Sequence, residues 1–181
     1  AAWDAELQAH GLPLAEARER VMVGLTPFWA KLATDLVGQP VDISFFRGWA
    51  KDHELAEALQ MALPRDQQRG ATSAGPHRAD VTIRLQGKPA RDVLSRGQQK
   101  LVAATLVLAQ LQYLHAILGL RPTLVLDDPA AELDDERLAR FIDAVKALDT
   151  QLVVTSLHQD FAVFGQPESV FHVEQGSVQE L

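Results

Sequence analysis

The sequence predicts an α/β fold with parallel central strands, and three observations carry that expectation. Two short unbroken apolar runs, 123–126 and 152–155, have the composition of buried parallel strands. Between them, residues 134–148 repeat apolar side chains at the spacing of an amphipathic helix. Ahead of them, residues 96–118 form a long apolar stretch closed by Gly119 and Pro122, the punctuation of a helix end. Strand, helix, strand in this order favours parallel pairing through a crossover helix.

The remaining elements follow from local chemistry. In residues 1–70, Leu7, Leu14, Val21, Leu25, Phe28, Leu32 and Leu36 recur near helical spacing. Pro13, Pro27, Pro40 and Pro64, with Gly11, Gly24 and Gly38 close by, predict interruptions of that helical zone. Residues 41–46 read as a short strand by their β-branched and aromatic content, and 52–61 again as helix. The Gly/Ser/Thr-rich stretch 70–76 reads as a linker between two compositional zones, in a chain whose length suits one domain or a little more. Residues 81–85 alternate as a half-buried strand with 86–89 as its turn. The helix 96–118, apolar on most sides, is expected to be buried. Residues 170–173 and 177–181 form a terminal hairpin across 174–176.

Composition bounds the function. The 181 residues carry 17 basic and 24 acidic side chains, a formal charge of −7, so the whole chain lacks the basic footprint of generic nucleic-acid binding. Residues 78–100 are locally different. Arg78, Arg84, Lys88, Arg91, Arg96 and Lys100 face only Asp80 and Asp92, a surplus of +4, and a local field acts over about 8–10 Å in physiological salt. Cysteine is absent, which excludes a disulfide scaffold and a thiolate metal site and suits a reducing compartment. No run of about 18 apolar residues predicts a membrane span, and the first residues lack the basic and apolar regions of a secretory signal. A cytoplasmic protein with no membrane partner is expected. The start also lacks Met, which fits a chain that begins inside a larger polypeptide.

Three stretches hold candidate chemistry. Leu124-Val125-Leu126-Asp127-Asp128-Pro129 delivers two carboxylates to the C-terminal end of a strand, where open α/β sheets bind ligands. One carboxylate near a Mg²⁺ ion and its neighbour on an attacking water would suit a nucleotide site. A helix-capping acidic loop explains the same residues. Leu94-Ser95-Arg96-Gly97-Gln98 precedes the apolar helix. There Ser95 is an N-cap candidate, and the first-turn N–H groups with the helix dipole would hold an anion. An ordinary capped helix start explains these residues too.

Gly70 to Gly75 has the glycine spacing of a phosphate loop, but Pro76-His77 stands where Lys-Ser/Thr is required, and no other stretch reads G-x-x-x-x-G-K-[ST]. An ATPase built on this sheet must take its phosphate loop from residues outside the sequence. The six histidines show no metal-ligand spacing. Phe45, Phe46 and Trp49 around Arg47 could stack on bases or form an aromatic core.

Taken together, Ser95-Arg96-Gly97-Gln98, then Leu124 to Pro129, then Ala131-Glu132-Leu133-Asp134 resembles the signature, Walker B and D-loop order of ABC-type ATPases. Gly75-Pro76-His77-Arg78-Ala79-Asp80, Ser44 to Trp49 and Phe171 to Gly176 narrow the resemblance to the RecF family of bacterial recombination mediators. It covers essentially the whole chain, as a carboxy-terminal half. The resemblance implies the carboxy-terminal part of an ABC-type head, a mostly parallel sheet with helices, in 71–181, plus part of a helical second lobe in 1–70.

It also implies an ATP-dependent DNA-binding protein of repair, replication, recombination and the SOS response. Such a protein dimerises on ATP and works with RecR and RecO to help RecA load at single-strand gaps. By the resemblance, Asp127 is the Mg²⁺ carboxylate and Asp128 orients or activates the hydrolytic water. Ser95 and Gly97 meet the γ-phosphate held by the opposite subunit, Gln98 supports that loop, and Asp134 sits at the dimer seam. His158 is the switch-histidine candidate, although it comes two or three residues later than in other ABC heads. Asp128 stands where many such enzymes have Glu, in keeping with slow turnover. The family's Walker A would lie upstream of Ala1, so the chain alone is expected not to hydrolyse ATP. A non-catalytic module that binds DNA or a partner, or a head fragment of an SMC/Rad50-type ATPase, is the competing reading. The absence of sustained heptads weighs against the latter.

Overall fold

A computed structural model describes residues 3–129, 135–148, 150–157 and 162–181. They form two compact units, 1–113 and 114–181.

The first unit begins with a single helix, α1 (Asp4–Val37), 34 residues long with Pro13 and Pro27 inside it. The interruptions expected at Pro13 and Pro27 are absent, while the break expected at Gly38 and Pro40 is present. An interior proline costs a helix about 3 kcal/mol, whereas each large apolar side chain buried contributes about 1.5–3 kcal/mol. Leu25, Trp29, Leu32 and Leu36 are buried at helical spacing along the same face, so packing outweighs propensity. Gly24 has a steric role in that packing, because a Cβ there would lie 2.4 Å from the Tyr113 ring, which also meets Phe28 edge-on. The helix stops at Gly38, in the left-handed conformation.

Trp29 Nε1 donates to Val41 O at 2.6 Å inside the core and so fixes the entry to β1 (Asp42–Phe46). This strand pairs antiparallel with β2 (Asp80–Leu85), which pairs antiparallel with β3 (Lys88–Pro89). The strand at 81–85 therefore belongs to an antiparallel sheet and not to the parallel pair. Helix α2 (Leu55–Arg69) starts later than the sequence suggests and continues through Pro64 to a left-handed cap at Gly70. Its first turn closes a capping box between Glu54 and Glu57.

Residues 70–76 are a packed loop rather than a slack linker. Gly75 N donates to Gly48 O at 3.1 Å, and a Cβ on Gly48 would stand 1.9 Å from Gly75 O. Asp66 accepts from Ser73 N at 2.9 Å, and Arg18 donates to Pro76 O at 2.7 Å. Ala74 is buried in one cluster with Trp49, Leu55, Leu59 and Ala62.

A short helix, α3 (Ala90–Val93), leads to the long α4 (Arg96–Leu118). Its length and apolarity would suit a bilayer crossing, but its burial is one-sided. Leu101, Val102, Thr105, Leu108 and Ala109 are covered, the stripe of a core helix. Val107 and Ile117 are exposed, so the expected all-round burial does not hold within this chain.

In the second unit β4 (Leu124–Asp127) runs parallel to β5 (Leu152–Thr155), joined through α5 (Asp135–Lys146). Leu138, Phe141, Ile142 and Val145 are the buried stripe of α5. Alternation sorts the strand residues into two faces. Leu124, Leu126, Leu152 and Val154 are buried or half-buried, whereas Val125, Asp127, Val153 and Thr155 share an exposed face. The chain ends in the hairpin β6 (Phe171–Glu174) and β7 (Ser177–Glu180), turned through Gln175 and Gly176 at positive φ.

Candidate nucleotide site

The acidic pair sits at the C-terminal end of β4. Asp127 lies directly opposite Thr155 in the parallel register, and Thr155 Oγ1 donates to Asp127 Oδ1 at 2.5 Å. The Asp128 N–H reaches both Thr155 O and Thr155 Oγ1 at 3.1 Å. One threonine therefore fixes both aspartates. Asp128 adopts φ +40, a left-handed conformation that Asp tolerates better than most residues. This turn takes its side chain off the strand alternation. Asp127 is exposed and Asp128 half-buried, with Asp128 Oδ1 buried and without a hydrogen-bond partner.

The donor set suits Mg²⁺. Two hard carboxylates stand together, and the orphaned Asp128 oxygen can accept from a water or stand near a cation. Mg²⁺ is commonly held by one or two carboxylates plus substrate phosphates. Among the described residues no group of three or more His, Cys, Asp or Glu side chains could hold a metal by itself, so phosphate oxygens would have to complete the shell.

The signature turn is built as a reciprocal cap. Gln98 N donates to Ser95 Oγ at 3.3 Å, and Ser95 N donates to Gln98 Oε1 at 2.9 Å. Ser95 and Arg96 are exposed, Gly97 and Gln98 half-buried. By accepting from Gln98, the Ser95 hydroxyl keeps its own proton free for an acceptor outside the turn. Gln99 was not singled out by the sequence. Its amide donates to Leu94 O at 2.9 Å and Arg91 O at 3.1 Å, stapling the turn to α3.

Other candidates fare differently. Asp134 and His158 lie outside the described residues. Trp49 is buried in the core, with the Arg47 guanidinium 4.6 Å from its ring centre, and Arg47 also donates to the carbonyls of Ala50 and His53. That is a structural stack with no face left for a base. Three of the basic residues are engaged locally. Arg78 donates to Thr72 O, Arg84 to Gly87 O, and Arg91 lies 3.5 Å from Asp92. The sequence also missed Thr155 as a site residue. The signal was present in principle, because aligning the two apolar runs in parallel sets Thr155 against Asp127.

No protein-family model matches the chain. Whole-chain comparison is decisive. The DNA replication and repair protein RecF of Pseudoalteromonas atlantica is 42% identical over 182 residues, covering 98% of this chain and 50% of that protein. The chain is RecF-like along its whole length. The RecF of Pseudomonas entomophila is 37% identical with the same coverage of both chains, and that of Coxiella burnetii is 36% identical, covering 99% and 50%. The chain thus spans about half the length of the curated RecF relatives it matches. Two solved structures of the recombination mediator RecF, described as RecF-ATP and RecF-ATPrS, superpose on 99% of it. They have TM-scores of 0.80 and 0.79 at 26% and 25% identity. A structure from work on SMC ATPases shares the fold at a TM-score of 0.56 and 15% identity. The expected α/β class and the RecF resemblance stand together in this result.

Proposed function

We propose that this chain supplies the signature turn and the metal carboxylate of a RecF-type DNA-repair ATPase. The observation that carries the reading is the Thr155 clamp, which holds Asp127 and the Asp128 backbone at the exposed end of β4 in a chain matched throughout to RecF. Asp127 would hold Mg²⁺ beside the nucleotide phosphates, and the metal would supply charge neutralisation there. Asp128, with its unpartnered oxygen, would orient and deprotonate water. Ser95 and Gly97 would meet the γ-phosphate carried by a second copy, with Gln98 holding the turn, so that ATP closes a homodimer. Asp134 and His158 would complete the seam and the phosphate contact.

In this reading 1–70 is part of a helical lobe and 71–181 part of the ATPase head. The complete protein acts on DNA in the cytoplasm, with RecR and RecO, upstream of RecA. The chain by itself lacks a phosphate loop and would not hydrolyse ATP.

The test is a hybrid in which these 181 residues replace the matching half of the Pseudoalteromonas atlantica RecF. The hybrid should bind and hydrolyse Mg²⁺-ATP and dimerise on binding, while the isolated chain shows no turnover. A hybrid that folds yet stays indifferent to Mg²⁺-ATP would refute the reading.

A further inference from the structure

Arg96 occupies the end of α4 that repels a cation. It is the first residue of the helix, at the positive pole of the helix dipole, where anions stabilise and cations destabilise. No acidic residue in the first turn offsets it. Lys100, four residues on, puts a second cation along the same face. Arg96 is exposed and makes no hydrogen bond or ion pair with any described residue. Its backbone, by contrast, is held firmly. Ser95 and Gln98 cap each other around it, and Gln99 ties the turn to Leu94 O and Arg91 O. A fixed turn thus carries an uncommitted guanidinium at a position that costs the helix stability. Local rules broken without a local compensation mark functional positions.

We propose that Arg96 is a further catalytic residue, whose guanidinium donates to the γ-phosphate oxygens of the nucleotide carried by a second copy. This rests on the ATPase reading above and adds a charged group to it. Electrostatic balance argues for the role. Mg²⁺-ATP remains anionic, and Asp127 and Asp128 of the copy that holds it add two carboxylates beside the phosphates. The Ser95 hydroxyl and the first-turn N–H groups meet that charge with dipoles only, so Arg96 is the formal positive charge that the turn brings. A planar fork of donors matches phosphate oxygens in pairs. A cation fixed there also stabilises the charge that develops on the γ-phosphoryl oxygens during transfer. Closure removes the helix's own penalty as well, because the phosphate neutralises both the dipole end and the repulsion between Arg96 and Lys100.

The test uses the hybrid with the Pseudoalteromonas atlantica RecF and reads both dimerisation on Mg²⁺-ATP and turnover. Arg96→Gln should weaken dimerisation about tenfold and slow turnover at saturating ATP by about a hundredfold or more. Arg96→Lys keeps the charge without the fork and should recover part of both. The denaturation midpoint should hold or rise in Arg96→Gln, because the helix loses a repelled cation, which separates the role from a structural one. Action across the seam has its own readout. In a 1:1 mixture of Arg96→Gln with Asp128→Asn, each mixed dimer contains one site with both residues intact. Turnover of the mixture should therefore exceed the sum of the two variants measured alone. Undiminished turnover in Arg96→Gln, or a mixture no faster than its parts, would overturn the proposal and leave the ATPase reading standing. An unmodified hybrid indifferent to Mg²⁺-ATP would overturn both.

Discussion

Thr155 Oγ1 stands 2.5 Å from Asp127 Oδ1 and at the same time accepts the Asp128 N–H at 3.1 Å. A hydrogen bond to a charged group contributes about 1.5–3 kcal/mol. Replacing Thr155 by Val keeps the β-branched shape and removes both contacts. Turnover of the hybrid enzyme should fall about ten- to hundredfold, Thr155→Ser should restore most of it, and unfolding midpoints should barely move. If Thr155 positions the proposed metal carboxylate, the Mg²⁺ concentration needed for half-maximal turnover should rise in Thr155→Val and return in Thr155→Ser.

Asp128→Asn keeps a residue that tolerates φ +40 and removes the carboxylate. Loss of a general base costs about 10²–10⁴ in rate. The hybrid carrying this change should bind ATP as before, hydrolyse it at least a hundredfold more slowly and remain dimeric on ATP, measured by light scattering. Undiminished hydrolysis would remove Asp128 from its assigned role.

The reciprocal cap of Ser95 and Gln98 makes a separate prediction. Gln98→Ala deletes the bond to Ser95 N and loosens the start of α4. Cap losses of this kind cost about 1 kcal/mol, which chemical denaturation of the isolated chain can read. In the hybrid, ATP-driven dimerisation should weaken by more than global stability does.

Gly48 at φ +106 lies against Gly75 O. Gly48→Ala adds a Cβ both to a left-handed backbone and to a contact with no room. A loss of at least about 2 kcal/mol is expected. Gly87→Ala, where no atom lies within 4 Å, should cost only the backbone strain, and the difference between the two isolates the steric clash.

Asp66 predicts a pH dependence. The hydrogen bonds from Ser73, side chain first and backbone second, hold its carboxyl below the usual carboxylate range, with Arg65 and Arg78 adding to the effect against partial desolvation. A depressed folded value stabilises the protein above the ordinary value of about 3.9, and that contribution disappears as pH falls through the lower folded value. The loop 70–76 should therefore loosen at acidic pH in the native chain. In Asp66→Ala it should be loose already at neutral pH, and amide exchange at Ser73 and Gly75 would report both.

Much of the second unit was legible because its signals are local. The apolar runs at 123–126 and 152–155 and the stripe of α5 are readable from neighbouring residues alone, and in the first unit Ser95 is readable as a helix cap in the same way. The long α1 was not, because Pro13 and Pro27 are strong local signals overruled by the distant packing of Trp29 and Leu36. The loop 70–76 misled in the opposite direction. Its small residues are there for close backbone contact with Gly48, not for slack. Thr155 escaped because its role exists only after β4 and β5 are aligned.

Pairing register has a last consequence for the acidic site. In a pleated pair, a slip by one residue exchanges the two sides. Asp127 would then turn inward beside Leu152 and Val154 and lose its threonine, and Leu126 would take its outward position. The hydrophobic stripe that keeps Leu124, Leu126, Leu152 and Val154 inward therefore also decides which way the carboxylate looks. Substitutions far from any phosphate, in the oily interior of this unit, should disturb catalysis by letting the strands misalign.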